Sequence, residues 1–149
     1  MKKSRIFILS IFFLVPSIYV GHAFGQALDH TGNTTASPDS LVILWTTAEK
    51  DVLTKILSVY VTNALTQGWF DHVTFVIWGP SAKLLAEDME VQAWIRKFKE
   101  AGAVLEACLW CTNQYDVTEE LEECGVDVRG MGRSLSEYIK DPDKEVIVF

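Results

Sequence analysis

Ala103-Val-Leu-Glu-Ala-Cys108-Leu-Trp-Cys111 is an apolar run that ends in a Cys-x-x-Cys motif. A short continuous run of this kind is typical of a strand covered on both faces in a parallel sheet. In open α/β sheets, ligands bind beyond the carboxyl ends of the strands, where the following helices point their positive N-termini. A helix N-terminus favours the thiolate form of a cysteine and makes it reactive. We therefore expect Cys108 and Cys111 to form a catalytic pair at the end of a buried strand.

Four further segments have the composition of buried strands, and helical patterns lie between them. These strands are predicted at 41–45, 72–78, 126–128 and 145–149. Strands that alternate with helices of about ten or more residues predict right-handed crossovers and a mainly parallel sheet. We expect an α/β fold, a three-layer α/β/α sandwich on a mainly parallel five-stranded sheet.

Capping residues and apolar spacing place the helices. The N-caps are assigned to Thr46, Ser81, Asp88 and Ser134, and the segment 115–124 is predicted as a single helix. Thr46 begins a Thr-x-x-Glu capping box. The stripe of the first helix is predicted along Val52, Ile56, Val59 and Asn63, with Leu53, Leu57 and Tyr60 beside it. In the helix that Asp88 begins, the inward stripe is Val91, Trp94, Ile95 and Phe98.

The first 25 residues have the three-part organisation of a secretory signal. Basic residues at positions 2, 3 and 5 precede an apolar run from 6 to 20, and small residues follow at 21, 23 and 25. We predict a signal peptide at 1–25, a flexible tether at 26–40 and the folded domain at 41–149. An uncleaved membrane anchor is the alternative, although the apolar run is shorter than the ~20 residues that span a bilayer. The expected location is periplasmic or secreted.

Export changes the meaning of the charge and of the cysteines. Removal of the signal takes away three of the 13 basic residues and none of the 20 acidic ones, so the net charge falls from −7 to about −10. An acidic surface of this kind repels nucleic acid and anionic lipid. All three cysteines lie in the mature part, and an odd number in an oxidising compartment indicates a free or reactive thiol.

If the strands are parallel, four loops meet at one edge of the sheet with the thiols. We predict a ligand-binding pocket there, built from Thr46, Thr47, Trp78, Gly79, Pro80, Ser81, Trp110, Gly130, Met131 and Gly132, with Arg129 and Arg133 close by. Glycines would let the backbone approach a ligand. The alternative is that Trp78 and Trp110 only fill the end of the sheet or an interface.

Two other sites compete for the cysteines. A zinc site would use Cys108, Cys111, Cys124 and His72 as ligands. A helix of about ten residues separates Cys111 from Cys124 by roughly 15 Å, which is too far for a shared metal. We therefore expect no metal, and no motif for a cofactor is present. A thioredoxin-type exchange site would have the Cys-x-x-Cys at the start of a helix. A disulfide between Cys108 and Cys111 stays open at this point.

Four segments together resemble the DsrE/DsrF-like family. They are Ile77-Trp-Gly-Pro-Ser-Ala-Lys-Leu-Leu85, Ala107-Cys-Leu-Trp-Cys111, Leu121-Glu-Glu-Cys-Gly-Val-Asp-Val128 and Gly130-Met-Gly132. The resemblance covers 41–149 and implies the YchN-like fold, a flavodoxin-like sandwich, in a homo-oligomer that is commonly a trimer or hexamer. The better-understood relatives are sulfur-relay proteins in which one cysteine carries sulfur as a persulfide and passes it to a partner protein.

The resemblance assigns the carrier position to Cys108, counted back from Asp116-Val117. Asp116 stands where the relatives have glycine. Cys111 is outside the relay pattern and suggests a redox-active or resolving thiol. The leading hypothesis is an exported protein that handles reactive sulfur through Cys108, with a sulfur donor or acceptor protein as partner. The alternatives are a non-catalytic oligomeric module that binds a small ligand or a partner, and a Cys-x-x-Cys protein for thiol–disulfide exchange.

Overall fold

Five parallel strands form the centre of the fold. The computed structural model describes residues 38–149. The strands are β1 Ser40–Trp45, β2 His72–Ile77, β3 Val104–Cys108, β4 Asp127–Arg129 and β5 Lys144–Val148. They lie in the order β4-β3-β2-β1-β5, and every neighbouring pair is parallel. The predicted five-stranded parallel sheet is confirmed, and each strand lies within two residues of its predicted bounds.

Helices connect each strand to the next. A π-helical segment, Val52–Leu57, continues into α1 Ser58–Thr66. The later helices are α2 Pro80–Glu87, α3 Met89–Glu100, α4 Leu109–Tyr115, α5 Thr118–Glu123 and α6 Met131–Lys140. Asp88 caps α3 as predicted, since its carboxylate accepts hydrogen bonds from the N–H groups of Glu90 and Val91. Within 38–149, no helix has the length and apolar character needed to cross a membrane.

The sheet has a separate apolar core on each face, as alternation along a strand requires. In β1, Leu41, Ile43 and Trp45 face the larger core, which the helices between β1 and β4 cover. Val42 and Leu44 face a smaller core with Met131 of α6. The three-layer α/β/α architecture is therefore confirmed, with a thin second layer that is supplied by α6.

The predicted stripe of the first helix is wrong. Ile56 and Val59 are 50% and 58% exposed, whereas Leu53, Leu57 and Val61 are fully buried. The π-helical segment explains the difference, because its i to i+5 hydrogen bonds widen each turn. The inward residues therefore recur every four positions, and the phase differs from that of an α-helix that begins at Thr46.

Three of the predicted N-caps are also wrong, because their hydroxyl groups bond elsewhere. Thr46 donates from Oγ1 to the carbonyl of Phe149, at 2.7 Å. Ser134 accepts from Nη1 of Arg129, at 2.7 Å. Ser81 lies inside the first turn of α2, behind Gly79 and Pro80, and joins the ends of β1 and β2. Its Oγ donates to the Trp45 carbonyl at 2.7 Å and accepts from the Trp78 N–H at 3.0 Å.

The predicted helix at 115–124 is α5, which begins only at Thr118, because the preceding helix α4 ends at Tyr115 with Asp116 as its C-cap. This residue has φ 53° and ψ 46°, and it has the one positive φ among the non-glycine residues of 38–149. A left-handed residue ends an α-helix and is usually glycine. The helix α4, which begins directly after Cys108 and was not predicted, therefore ends at Tyr115, and α5 begins at Thr118.

The predicted signal peptide and most of the predicted tether lie outside the described residues. Of the tether, only 38–40 is described, and Ser40 already belongs to β1. The cleavage and export expected from 1–25 stay predictions.

Replacing Ser81 by Ala should destabilise the fold by about 1–2 kcal/mol, because Ser81 is fully buried and bridges two strands. The loss stays moderate since the Trp78 N–H also donates to the Trp45 carbonyl. Urea unfolding of both variants measures it. Ser136→Ala is the control, because its hydroxyl is exposed and bonds only within α6. Equal midpoints for the two variants would contradict the bridging role.

Replacing Asp116 by Gly should stabilise the fold by about 0.5–1 kcal/mol, because glycine adopts a positive φ without a steric cost. The matched control is Asp51→Gly. Asp51 is also exposed but has φ −64° in a helical conformation, so this change should destabilise by about 0.5–1 kcal/mol. Denaturation midpoints that shift in the same direction for both variants would exclude this account.

Candidate functional site

Three strands at one side of the sheet pass into helices at the same edge. β2 leads to α2 through Gly79, β3 leads to α4 at Cys108, and β4 leads to α6 through Gly130. None of these three N-cap residues bonds its helix through a side chain. N–H groups in the first turn of a helix have no partner inside the helix. At this edge, backbone N–H groups and the positive ends of three helices therefore face the space between the helix starts.

A pocket of about 470 Å³ lies between these helix starts. It is lined by Trp78, Gly79, Cys108, Trp110, Cys111, Gly130, Met131 and Gly132. The structure thus brings both cysteines together with six of the ten residues predicted to bind a ligand. Their binding role stays a prediction.

The other four predicted pocket residues, Thr46, Thr47, Pro80 and Ser81, do not line this pocket. The end of β1 is covered by Phe149, whose carbonyl accepts from the N–H and the Oγ1 of Thr46. Ser81 is turned toward β1 and β2 instead. The expected four-loop site is therefore a three-loop site over β2, β3 and β4.

The two cysteines sit one helical turn apart at the start of α4. Cys108 is the last residue of β3 and the N-cap of α4, and Cys111 is the third residue of the helix. No helix was predicted before 115, but β3 passes into α4 without any intervening residue, so Cys111 lies in a helix. Both thiols are free, and they are only 5% and 6% exposed.

Cys111 is not the easily ionised thiol that the sequence suggested. Burial first, and then the neighbouring Cys108 thiol, raise its pKa from the ordinary 9.0 to about 11. The N–H of Gly79 acts in the opposite direction, because a hydrogen bond to the sulfur favours the thiolate and lowers the pKa. At neutral pH the Cys111 thiol is therefore protonated.

Position 79 requires a glycine because of its backbone conformation. Its φ of 71° with ψ of −136° is open to glycine and strained for other residues. This conformation turns the chain from β2 into α2 and brings the Gly79 N–H to the sulfur of Cys111.

The two tryptophans border the pocket rather than fill the end of the sheet. Trp78 is half-buried, and Trp110 is 71% exposed. Met131 is fully buried and forms the inner wall from α6. Within the described part of the chain, no charged side chain lines this pocket. A ligand would meet aromatic rings, sulfur atoms and backbone N–H groups.

A buried ion pair lies next to the thiols on the same face of the sheet. Glu106 precedes Cys108 by two residues, and its carboxylate accepts from Nη2 of Arg129 and from the hydroxyl of Tyr138, at 3.0 Å. Burial and the hydrogen bond to Glu106 raise the pKa of Tyr138. Arg129 is paired with Cys108 across β3 and β4. The group ties β3, β4 and α6 together beside the pocket.

The sequence shows Glu106 within the apolar run that becomes β3, but it does not show which residues bind the carboxylate. Arg129 and Arg133 were expected beside the thiols, and neither lines the pocket. Arg133 is exposed and pairs with Glu137 on α6. A carboxylate within a buried strand requires a cation. Because Arg129 ends the neighbouring strand, its position in the sequence could have identified it as the partner of Glu106.

Titration of Cys111 should show a pKa of about 11 in the unmodified protein. In a Cys108→Ala variant the pKa should fall but stay above 9.0, because burial is the larger cause and persists. The rate of iodoacetamide alkylation at Cys111, followed over pH by peptide mass, measures both values. A Cys111 pKa below 9.0 in either protein would exclude a buried, protonated thiol.

Comparisons with known proteins found two solved structures with the same fold, and one of them is also similar in sequence. No protein-family model matches the chain, and no curated protein matches it. The solved structure of a conserved protein of unknown function, BT1422 from Bacteroides thetaiotaomicron, is 36% identical, with a TM-score of 0.71 over 74% of this chain and 95% of that chain. The YchN protein from E. coli is 13% identical, with a TM-score of 0.53 over 74% and 98%.

Proposed function

The chain belongs to the same family as BT1422 and has the YchN-like, DsrE/DsrF-like fold, and on this basis we propose that it is a carrier of reactive sulfur. In this proposal Cys108 accepts a sulfane sulfur atom as a persulfide and later gives it to an acceptor. The observation that carries the proposal is the recessed pair Cys108 and Cys111 in a pocket between three helix starts.

The pocket suits a persulfide for electrostatic reasons. A persulfide group is more acidic than a thiol, so the terminal sulfur bears a negative charge at neutral pH. The first turns of α2 and α6 offer N–H groups and positive dipole ends beside Cys108. The protonated Cys111 supplies a further donor. These groups favour the charged sulfur without a competing carboxylate in the lining.

Burial suits a carrier as well. A persulfide exposed to solvent reacts with free thiols and oxidants, and both reactions depend on access. With Cys108 only 5% exposed, the added sulfur would lie inside the pocket. Trp78 and Trp110 would contact it with polarisable rings, a favourable contact for sulfur.

Thiol–disulfide exchange is the second candidate, and one observation favours it. Cys108 at the N-cap and Cys111 in the first turn of α4 have the arrangement of an exchange motif, and both line the same pocket. This candidate needs no sulfur transfer and predicts only a dithiol and a disulfide form of the protein.

The proposal includes export and assembly. The protein would act in the periplasm or outside the cell after removal of 1–25, with a sulfur donor or acceptor protein as partner. Assembly into a homo-oligomer would cover exposed apolar side chains such as Ile56 and Val59 of the first helix. An oligomer of three or six copies follows from the resemblance to the DsrE/DsrF-like family.

Loading with inorganic polysulfide tests the carrier proposal. A Cys111→Ser variant, reduced and then treated with polysulfide, should gain about 32 Da on Cys108 and lose it again with dithiothreitol. Cys108→Ser should gain nothing. Intact mass measures both, and peptide mass locates the sulfur.

The control is Cys124→Ser, since Cys124 is buried in the core on the other face of the sheet, outside the pocket. The Cys124→Ser variant should take up sulfur from polysulfide to the same extent as the protein with all three cysteines. Sulfur carried by the Cys108→Ser variant, or none carried by Cys111→Ser, would reject the carrier role and leave disulfide exchange in first place.

A further inference from the structure

Cys108 and Cys111 lie three residues apart at the start of α4, where side chains at this spacing are neighbours. At a helix start, the N-cap residue and the third helical residue face each other, which is the geometry of a capping box. Cys108 and Cys111 occupy these two positions of α4, and both line the same pocket. A sulfur carrier requires one thiol, so the second thiol in the pocket calls for a separate explanation.

We propose that Cys111 resolves the persulfide of Cys108, so that the protein reduces sulfane sulfur and releases it as hydrosulfide. The inference rests on the proposed function, because it begins from the persulfide that the carrier forms. It adds a reaction: the sulfur leaves as an inorganic ion instead of passing to an acceptor protein.

The reaction is balanced within the pocket. Cys111 Sγ attacks Cys108 Sγ, a disulfide bond forms between them, and the S–S bond of the persulfide breaks. The electron pair of the broken bond leaves with the outer sulfur, which is reduced to hydrosulfide. The proton of Cys111 moves to the anionic persulfide before the bond breaks and leaves with it. Cys111 is oxidised, so no external oxidant is needed, and an external dithiol returns the disulfide to two thiols.

The surroundings of the pair fit this step. The pocket of about 470 Å³ gives the departing hydrosulfide a route out beside the exposed Trp110. The Gly79 N–H is bonded to Cys111 and stabilises the thiolate that attacks. The high pKa of Cys111 keeps the proton on its sulfur until the persulfide accepts it.

The third thiol, that of Cys124, cannot resolve the persulfide. Cys124 belongs to the core on the opposite face of the sheet from Cys108 and Cys111. The sheet itself separates it from the persulfide. The pocket favours small donors, since the thiols are recessed and no charged side chain of 38–149 lines it. The expected substrate class is a small polysulfide or hydropersulfide.

The test compares the reduced, unmodified protein with Cys111→Ser and Cys124→Ser. Each is treated with inorganic polysulfide, excess reagent is removed by gel filtration, and intact mass and released sulfide are followed in time. The unmodified protein and Cys124→Ser should each release about one sulfide per chain and end about 2 Da lighter than the reduced form. Cys111→Ser should keep about 32 Da and release sulfide at least tenfold more slowly. Cys111→Ala provides a second resolving variant if Cys111→Ser does not fold.

The outcomes separate the two proposals. If the unmodified protein keeps the added sulfur as long as Cys111→Ser does and forms no disulfide, the resolving role of Cys111 is rejected while the carrier role stands. If neither Cys111 variant gains sulfur on Cys108, the carrier role itself fails, and the inference fails with it. Sulfide release from Cys124→Ser at the rate of Cys111→Ser would assign the resolving role to Cys124 and overturn the inference.

Discussion

All the features of the candidate site depend on the parallel pairing of the strands. In a parallel sheet every strand ends at the same edge, and each chain segment must leave that edge as a helix that returns to the other end. β2, β3 and β4 are neighbours and pass into α2, α4 and α6 with at most two residues between strand and helix. Three helix starts are thereby crowded into the width of three strands. The pocket is the space that these helix starts leave between them.

The pair Glu106 and Arg129 maintains this arrangement where the sheet is weakest. β4 has only three residues and is an edge strand, so its backbone pairing with β3 is short. Arg129 binds Glu106 on β3, Ser134 on α6 and the exposed Asp127 on its own strand. A buried carboxylate costs free energy unless a cation and hydrogen bonds satisfy it. The need of Glu106 for a cation and hydrogen bonds is met by Arg129 of β4 and Tyr138 of α6. These contacts join β4 and α6 to the sheet on either side of Gly130.

Much of this fold could be predicted from the sequence. Buried parallel strands are continuous apolar runs, so the five strands were found within two residues, and Cys108 was correctly placed at the end of one of them. The Asp88 cap was found because its partners are its own next residues. The pocket loops after β2 and β4 followed from the parallel order.

What could not be predicted depends on distant contacts or on unusual helix geometry. The hydroxyl of Thr46 bonds Phe149, which lies 103 residues away in the sequence, and this contact removed Thr46 and Thr47 from the site. The π-helical segment at Val52–Leu57 follows no propensity rule and changed the inward face of the first helix. The helix α4 was missed because Cys108 ends a strand and begins a helix at once, and no turn residue marks the boundary.

The pairing of β1 with β5 also has a consequence for how the chain is made. β1 lies between β2 and β5, so its backbone groups on one side stay unpaired until β5 has been synthesised. Contacts between residues this far apart in sequence form slowly, because a long loop must close first. A growing chain therefore exposes an apolar strand with an open edge from the synthesis of β1 until that of β5. An unpaired apolar strand edge of this kind can pair with other chains, so the growing chain is prone to aggregation until β5 covers it.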